Sequence, residues 1–515
     1  MTVRAASVAV LSSFLAMASA ALAQPVLITA PASVNPNDLT IVDQPSGTAV
    51  PLATAQITIR GTTLTMAGRH TIASLIIERS GANPGLLAHP AAQVFDYSGG
   101  AGTDVVEGLL LNVNGNVFVQ GASGGVASRI DLGARGFPAA TGPGAGASSP
   151  TGASGGAGAG HGGAGATSTS FAGGQAYGTE LITTPRLGSG GGNFQASLGG
   201  AGGGAILINA TGTVTIDGQL VATGATGVAA AGGGSGGSIG ISAATFAGAG
   251  SLSANSVHTT GWGGASGGRI SIVANANTFT GTLTAAGSNS TASGQRGAAG
   301  TILVVTNGQR DMVLDAGGTG TPPAALTTVA SATLRSVVIR GGSNVSFTAL
   351  SALPTPLSVS GASLARFDVL TSLAGNVDVT GASRLEVPQV TTFPASVSLS
   401  GGSTLVACVA QPVSVAQDLL LTGAGTAITW PAQSVCHLVV GGNTSIGAGS
   451  TINGNALGFP AATGPGAGTS SPNGASGAAG AGHGGNGATS TTLAGGLAYG
   501  SLTQPTTLGS GGGNF

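Results

Sequence analysis

The chain has almost no charge. Charged residues make up 6% of its 515 residues, and all 14 basic residues are arginine, because the sequence contains no lysine. Globular enzymes of this size use about a quarter charged residues. The absence of lysine excludes the phosphate-binding P-loop. A net charge of −1 without any basic run excludes nucleic acid and anionic lipid as partners.

Aromatic residues and helix-type periodicity are also scarce. Aromatic residues make up 3% of the chain, and apolar residues spaced at i, i+3, i+4 and i+7 are missing. Hydrophobic residues still make up 42%, which argues against simple disorder. After the N-terminus no stretch has the roughly 20 apolar residues that span a bilayer. We therefore expect no transmembrane span in the mature chain.

The N-terminus has the pattern of an export signal. Arg4 supplies the positive start, residues 5–20 are short, apolar and rich in small residues, and Ala21-Leu22-Ala23 forms a cleavage site before Gln24. We expect residues 1–23 to be a signal peptide. The mature chain is then extracellular or at the cell surface, and associated with the outer membrane if the cell is Gram-negative.

Glycine, by contrast, supplies 96 residues, and one glycine-rich passage is written twice. GFPAATGPGAGA at 136–147 returns as GFPAATGPGAGT at 458–469, and both passages continue through AGAGHGG and AYG to LGSGGGNF. The first passage runs on beyond Phe194, whereas the second stops at Phe515 in mid-motif. We interpret the chain as a fragment of a longer repeat protein.

The glycine-rich stretches at 136–204 (copy 1) and 454–515 (copy 2) allow two interpretations. One is a flexible linker, because Gly, Ser, Ala and Thr dominate and strand patterns vanish. The other is an ordered, glycine-packed module held by a few bulky residues that both copies share. These residues are Phe137, His161, Tyr177 and Phe194 in copy 1, and Phe459, His483, Tyr499 and Phe515 in copy 2.

Two shorter periods are nested within the long one. Between 200 and 305, small residues followed by alternating aliphatics recur at Ile206, Ile239, Ile270 and Ile302, in steps of 33, 31 and 32. Alternation is typical of strands, because side chains two apart share a face. Between 336 and 442, corner glycines recur in steps of 20, 20, 20, 22 and 18, at Gly341, Gly361, Gly381, Gly401, Gly423 and Gly441.

These periods predict an all-β chain, specifically a right-handed parallel β-solenoid (β-helix) with glycine-rich insertions, in which stacked units share one continuous core. The expected organisation is a signal peptide at 1–23, a β-rich cap with the first coils at 24–135, glycine-rich copy 1 at 136–204, coils of about 32 residues at 205–310, coils of about 20 residues at 311–453, and glycine-rich copy 2, truncated, at 454–515.

One metal site is a candidate. The segment GGAGTDVVE at 99–107 fits a calcium-binding nonapeptide, and Asp96, Asp104 and Glu107 lie close together as oxygen ligands. Known sites of this type need two successive nonapeptides, and the residues that follow break the pattern. A plain glycine turn is the alternative.

The cysteines allow a disulfide in an exported chain. Cys408 lies 7 residues after its corner Gly401 and Cys436 lies 13 after Gly423, so the two do not stack. We expect two buried, unpaired thiols, unless the positions face each other across a thin core.

No motif predicts a catalytic residue or a cofactor. The G-x-S-x-G matches around Ser123, Ser154, Ser235 and Ser266 lie in glycine tracts without the strand and helix that a nucleophile elbow needs. His161 and His483 have no acidic or cysteine neighbour for zinc. Asp368 and Asp378 fall at different phases of successive coils, so they do not form a paired-carboxylate site.

The ordered series GARGFPAATGPGAG, AGAGHGG, LGSGGGNF, GGSIGIS and GGRISIV resembles the glycine-rich repeat regions of large exported bacterial surface proteins, loosely adhesin- or haemagglutinin-like. The resemblance covers about 105–305 and 437–515. It implies an exported, repetitive, surface-displayed protein and brings no catalytic residues.

Three functions follow as hypotheses. The first is a structural or adhesive surface protein whose partners are cell-surface or extracellular glycans, or other cells. The second is a secreted β-helical enzyme, a lyase or hydrolase, acting on polysaccharides. The third is an ice- or mineral-binding face built from threonine ladders such as 213–215.

Overall fold

The computed structural model describes residues 22–98, 102–122, 125–152, 154–257, 262–288, 296–318, 323–407, 412–472, 474, 477–503 and 506–515. Most of the signal-peptide prediction (1–21), Cys408 and Ser123 lie outside these ranges.

The described chain is almost entirely β, as expected, with one short 3-10 helix at Leu52–Thr54. The strands before copy 1 are β1 Gln24–Ile28, β2 Ala32–Val34, β3 Thr40–Asp43, β4 Thr48–Pro51, β5 Ala55–Arg60, β6 Thr63–Met66, β7 Gly68–Ile72, β8 Ser74–Glu78, β9 Leu86–Ala88, β10 Val94–Asp96, β11 Val105–Glu107, β12 Leu109–Val113, β13 Val117–Val119 and β14 Arg129–Asp131.

Eight strands follow copy 1: β15 Ala205–Ala210, β16 Thr213–Ile216, β17 Gln219–Val221, β18 Ser238–Ala247, β19 Ser251–Ser253, β20 Arg269–Asn277, β21 Thr282–Thr284 and β22 Thr301–Thr306. The remaining strands are β23 Gln309–Asp315, β24 Thr327–Val329, β25 Ser336–Arg340, β26 Asn344–Phe347, β27 Ala352–Leu353, β28 Leu357–Val359, β29 Leu364–Phe367, β30 Ser372–Leu373, β31 Val377–Val379, β32 Arg384–Glu386, β33 Thr392–Phe393, β34 Val397–Ser400, β35 Thr404–Val406, β36 Val413–Val415, β37 Leu419–Thr422, β38 Ala427–Thr429, β39 Leu438–Val440, β40 Thr444–Ile446 and β41 Thr451–Ile452.

Eighteen strands between β1 and β40 form one sheet, called the long sheet here. The strands stack in layers, and a layer is the chain between one strand of the long sheet and the strand with which it next pairs. The predicted 32-residue period is confirmed, because the four marker isoleucines are direct neighbours in parallel strands: Ile206 with Ile239, Ile239 with Ile270, and Ile270 with Ile302. In the second region Val337, Leu357, Val377 and Val397 pair in steps of 20.

The two periods meet at a hairpin. β22 and β23 are antiparallel, whereas the pairings of β20 with β22 and of β23 with β25 are parallel, so strand direction reverses here. Neighbouring side chains of β22 point to opposite faces. Ile302 belongs to the apolar core of the first region, and Leu303 belongs to the core of the second. The β22–β23 hairpin therefore separates the two apolar cores.

A column of buried serines explains the G-x-S corners of the 20-residue layers. The backbone N–H of Ser363 donates to Ser383 Oγ (3.1 Å), and that hydroxyl donates to the carbonyl of Thr380 (2.7 Å). Ser343, Ser363 and Ser403 repeat this arrangement. The small side chain thus satisfies backbone groups that the tight corner buries.

The position of the last corner differs from the prediction. β37 pairs with β40, and Leu419 lies opposite Thr444, 25 residues further on. The segment LVVGGNTSI looks like a corner, but the strand before Gly441 is β39, which pairs with β36 in another sheet. Gly441 is therefore not the next corner, which lies instead between β40 and β41, where Gly449 has a φ of 77°.

The same longer layer corrects the cysteine prediction. Cys436 is disulfide-bonded, so the expectation of an unpaired thiol is wrong for this residue. Val413 pairs with Leu438, 25 residues later, whereas the phase was counted from corner glycines about 20 residues apart.

The glycine-rich segments of copy 1 are ordered and form a bundle without strands. Backbone N–H groups three residues apart donate to carbonyl groups of one neighbouring segment. Gly156 donates to Ala230 and Ala159 to Gly233. In the same way Ala157 donates to Ala147 and Gly160 to Gly144, at 2.8–3.0 Å. A period of three is that of the polyproline II helix, which makes no hydrogen bonds within itself. The ordered-module interpretation is therefore the one these bonds support.

The glycine bundle is an insertion within a single layer. Leu109 of β12 pairs with Ile206 of β15, 97 residues later, and copy 1 lies between them. The glycine segments that precede β18 and β20 join the bundle, since Gly236 donates to Ser266 and Gly203 to Ser235. Hydrogen bonds therefore join the bundle to the glycine segments that lead into β18 and β20 of the long sheet.

Candidate functional site

A cavity of about 160 Å³ lies where the glycine bundle of copy 1 meets the long sheet. Its wall includes His161 from the bundle, Ile182 and Arg186 from the loop that follows, and Ser238 and Arg269 from the first residues of β18 and β20. The cavity therefore combines residues far apart in sequence, which the stacking of 32-residue layers brings together.

His161 is fully buried in this wall. Its Nδ1 lies 2.7 Å from the carbonyl oxygen of Gly236, and its ring stacks on Tyr177 with centroids 4.5 Å apart. Burial, together with the nearby positive charge of Arg269, lowers the pKa of His161 to about 3. At neutral pH this histidine is a fixed, uncharged hydrogen-bonding group.

Tyr177 ties the cavity to the bundle. Its hydroxyl donates to the carbonyl of Leu187 and accepts a hydrogen bond from Ser189 Oγ at 3.0 Å. Burial raises the pKa of Tyr177, so the phenol stays protonated. The ring is thereby fixed against His161, and neither group changes charge near neutral pH.

Arg269 is the unusual residue of the site, since it is only 4% exposed. Its Nε donates to the carbonyl of Tyr177 and its Nη1 to Thr301 Oγ1, both at 3.0 Å. Burial lowers the pKa of Arg269, while the charge of Glu180 raises it. Within the described ranges Arg269 makes no salt bridge, so its guanidinium donates hydrogen bonds to uncharged oxygens only.

Arg186 differs because it has a counter-ion. Its Nη1 lies 2.7 Å from Glu107 Oε1, and the backbone N–H of Leu187 donates to the other carboxylate oxygen at 2.8 Å. Glu107 is 4% exposed. The pair is thus a satisfied ion pair at the rim of the cavity.

The three calcium candidates are engaged separately. Asp96 accepts hydrogen bonds from the backbone of Ser98 and Gly102, and Asp104 forms a salt bridge with Arg69, which lowers the pKa of that carboxyl. Glu107 instead forms an ion pair with Arg186. No three acidic, histidine or cysteine side chains are grouped for a metal in the part of the chain that the structure describes. The calcium site stays a prediction.

The other candidate residues have structural contacts. The hydroxyl of Ser266 accepts from the backbone N–H of His161 (2.9 Å), and that of Ser235 accepts from Ser189 (2.9 Å), so both lie inside the bundle. Asp368 is bonded to Arg366, whereas Asp378 lies in register with Ser358 of β28. The two aspartates are not brought together as a pair.

Sequence reasoning did not select Arg269, although a signal was present. The residues that begin the four stacked strands are Ala205, Ser238, Arg269 and Thr301, which occupy one column of the sheet. Three are small and one is a long cation. A charged residue in a column of small, buried residues indicates a special local role.

A search of protein families, of curated proteins and of solved structures finds no match to this chain. In the described residues, no helix has the length and apolar character needed to cross a membrane.

Proposed function

We propose that the chain is an exported structural or adhesive protein of the cell surface, built as a right-handed parallel β-solenoid with glycine-rich insertions. The observation that carries this proposal is the unbroken run of paired strands from β1 to β40. Strands joined in this way transmit load through backbone hydrogen bonds along the whole stack. The right hand is the one that parallel crossovers adopt in about 98% of cases.

Two observations support export. The first 23 residues have the pattern of a signal peptide. Cys436 is disulfide-bonded, and disulfides persist in oxidising compartments. Glycans or other cells are the partners that such a surface protein would contact.

The test uses the full chain, expressed from its own N-terminus in a Gram-negative host. We expect external protease to release fragments from intact cells, and the mature protein to begin at Gln24. Beads coated with the purified protein should adhere to cells or to immobilised glycans. Retention in the cytosol with an intact N-terminus would contradict export, and beads that adhere no better than albumin-coated beads would contradict adhesion.

A further inference from the structure

Arg269 is a buried cation that forms no salt bridge in the described part of the chain. Both of its hydrogen bonds go to uncharged oxygens, those of Tyr177 and Thr301. The charge of Glu180 acts on Arg269 without a salt bridge, and Glu180 Oε1 accepts from the backbone N–H of Ala330 at 2.9 Å. A charge buried without a partner is costly, so a counter-ion at this position would stabilise the fold.

The remaining charges of the cavity fix the valence of that counter-ion. Arg186 is neutralised by Glu107, and His161 is uncharged. A doubly charged ligand would therefore bring one negative charge more than the cavity can balance. One monovalent anion matches the single uncompensated cation.

Size and shape favour a planar anion. The cavity volume of about 160 Å³ is well above the roughly 10–15 Å³ that one water needs, so it can admit a carboxylate group. Within the described residues, Nη2 of Arg269 donates no hydrogen bond, and a guanidinium matches a planar carboxylate well. A Cβ built on Gly178 would lie 3.7 Å from Arg269 Nε and 3.9 Å from Arg186 Cγ, so this glycine leaves open the space between the two arginines.

We propose that this cavity binds one monovalent carboxylate, such as that of a uronic acid in an acidic polysaccharide, with Arg269 as its cation. The polar wall residues Thr183 and Thr184, both exposed, line the entrance side where the rest of a sugar would lie. Binding of a small carboxylate goes beyond the proposed surface function and does not depend on it.

Copy 2 provides an internal reference. Thr507 stands where copy 1 has Arg186, and its hydroxyl lies 2.9 Å from His483 Nε2. The cavity beside His483 is lined by small residues, Tyr499 and Leu502, with no arginine among the described residues that line it. We therefore expect one carboxylate per chain, not two.

The experiment is a saturation-transfer NMR titration of the purified full chain with glucuronate. Glucose serves as the uncharged probe and inorganic phosphate at pH 8 as the dianion. We expect glucuronate and acetate to compete for one site and glucose to show no binding. Tighter binding of phosphate than of glucuronate, or no binding of glucuronate, would overturn the proposal.

Variants locate the site. Arg269→Gln should weaken glucuronate about tenfold or more, because a charged hydrogen bond is lost, whereas Arg366→Gln on a distant strand should leave it unchanged. Since Arg269→Gln also removes two structural bonds, a second variant is needed. Thr184→Glu should supply a carboxylate in place of the ligand, raise the melting temperature and abolish binding, and Thr184→Gln should do neither. Unaltered binding in both Arg269→Gln and Thr184→Glu would refute the assignment.

Discussion

The two glycine-rich copies share their sequence but not their surroundings. Most of their internal backbone hydrogen bonds recur: the bond from Gly160 to Gly144 has its equivalent from Gly482 to Gly466, and the bond from Gly174 to Gly158 has its equivalent from Gly496 to Gly480. The backbone of the module is therefore arranged alike in both places.

The contacts outside the module differ. A Cβ on Gly158 would overlap with the carbonyl oxygen of Gly264, and one on Gly162 would overlap with that of Gly268. The equivalent Gly480 has its nearest atom at 3.1 Å, and Gly484 has none within 4 Å. At these two positions the need for glycine is thus set by a neighbouring segment outside the module.

The most severe test of this comparison is alanine at the matched pair. Gly158→Ala should lower the free energy of unfolding by about 3 kcal/mol, because the methyl group forces two backbones apart. Gly480→Ala should cost less than about 1 kcal/mol, since the neighbour must move only slightly and the unfolded state loses entropy. Urea unfolding, with hydrogen exchange of residues 154–166 and 477–488, measures both.

A second pair is its control. Gly165→Ala and Gly487→Ala would each overlap with a carbonyl of their own module, that of Gly158 and that of Gly480 respectively. Both should lose protection of their own copy to the same extent. Tolerance of Gly487→Ala would show that copy 2 is not packed as copy 1 is, and the comparison would fail.

Acid should next destabilise the region around His161 in copy 1. The folded pKa of His161 is about 3, below its ordinary 6.5, so between these values the unfolded chain binds a proton that the folded chain does not. The free energy of unfolding falls as pH falls through this window, by about 3 kcal/mol at pH 4. His89, with a pKa lowered to about 4 by burial, acts in the same direction.

The slope of stability against pH is the measurement, because the variant also changes absolute stability. His161→Gln should flatten the slope between pH 6.5 and 4, because the group that gains a proton on unfolding is removed. An unchanged slope in this variant would show that burial does not keep His161 uncharged.

The smallest effect should be shared by both copies. Tyr177 and Tyr499 each donate to a leucine carbonyl and accept from a serine, Ser189 and Ser510 respectively. Removing either hydroxyl, as Tyr177→Phe or Tyr499→Phe, should cost about 1 kcal/mol. Local hydrogen exchange checks this, and a cost in copy 1 alone would contradict the matching bonds of the two tyrosines.

The layers could be predicted from sequence because their signal is a single alternation. Ile206, Ile239 and Ile270 point into one core, and a pattern of period two shows this directly. The bundle could not be predicted, because its period of three lies in backbone hydrogen bonds, which leave no pattern of apolar side chains. Glycine is common both in linkers and in close packing, so composition alone does not separate them.

The candidate site was predicted less well, for a related reason. In the ordered-module interpretation His161 and Tyr177 are anchors of the module. Their partner Arg269 lies in a strand segment whose sequence follows the same repeat pattern as its neighbours. Only the register of the layers places it against the bundle. The disulfide of Cys436 was mispredicted from a count between corner glycines, whereas the strands β36 and β39 pair residues 25 apart.

The insertion of copy 1 between β12 and β15 also has a kinetic side. Pairing these strands closes a loop of 97 residues, whereas the next pairing closes one of 33. Loop-closure entropy grows only with the logarithm of length, so the longer loop costs about 1 kcal/mol more. A layered chain can therefore gain a module between two paired strands without losing their pairing. The order in which the strands pair during folding is hardly altered.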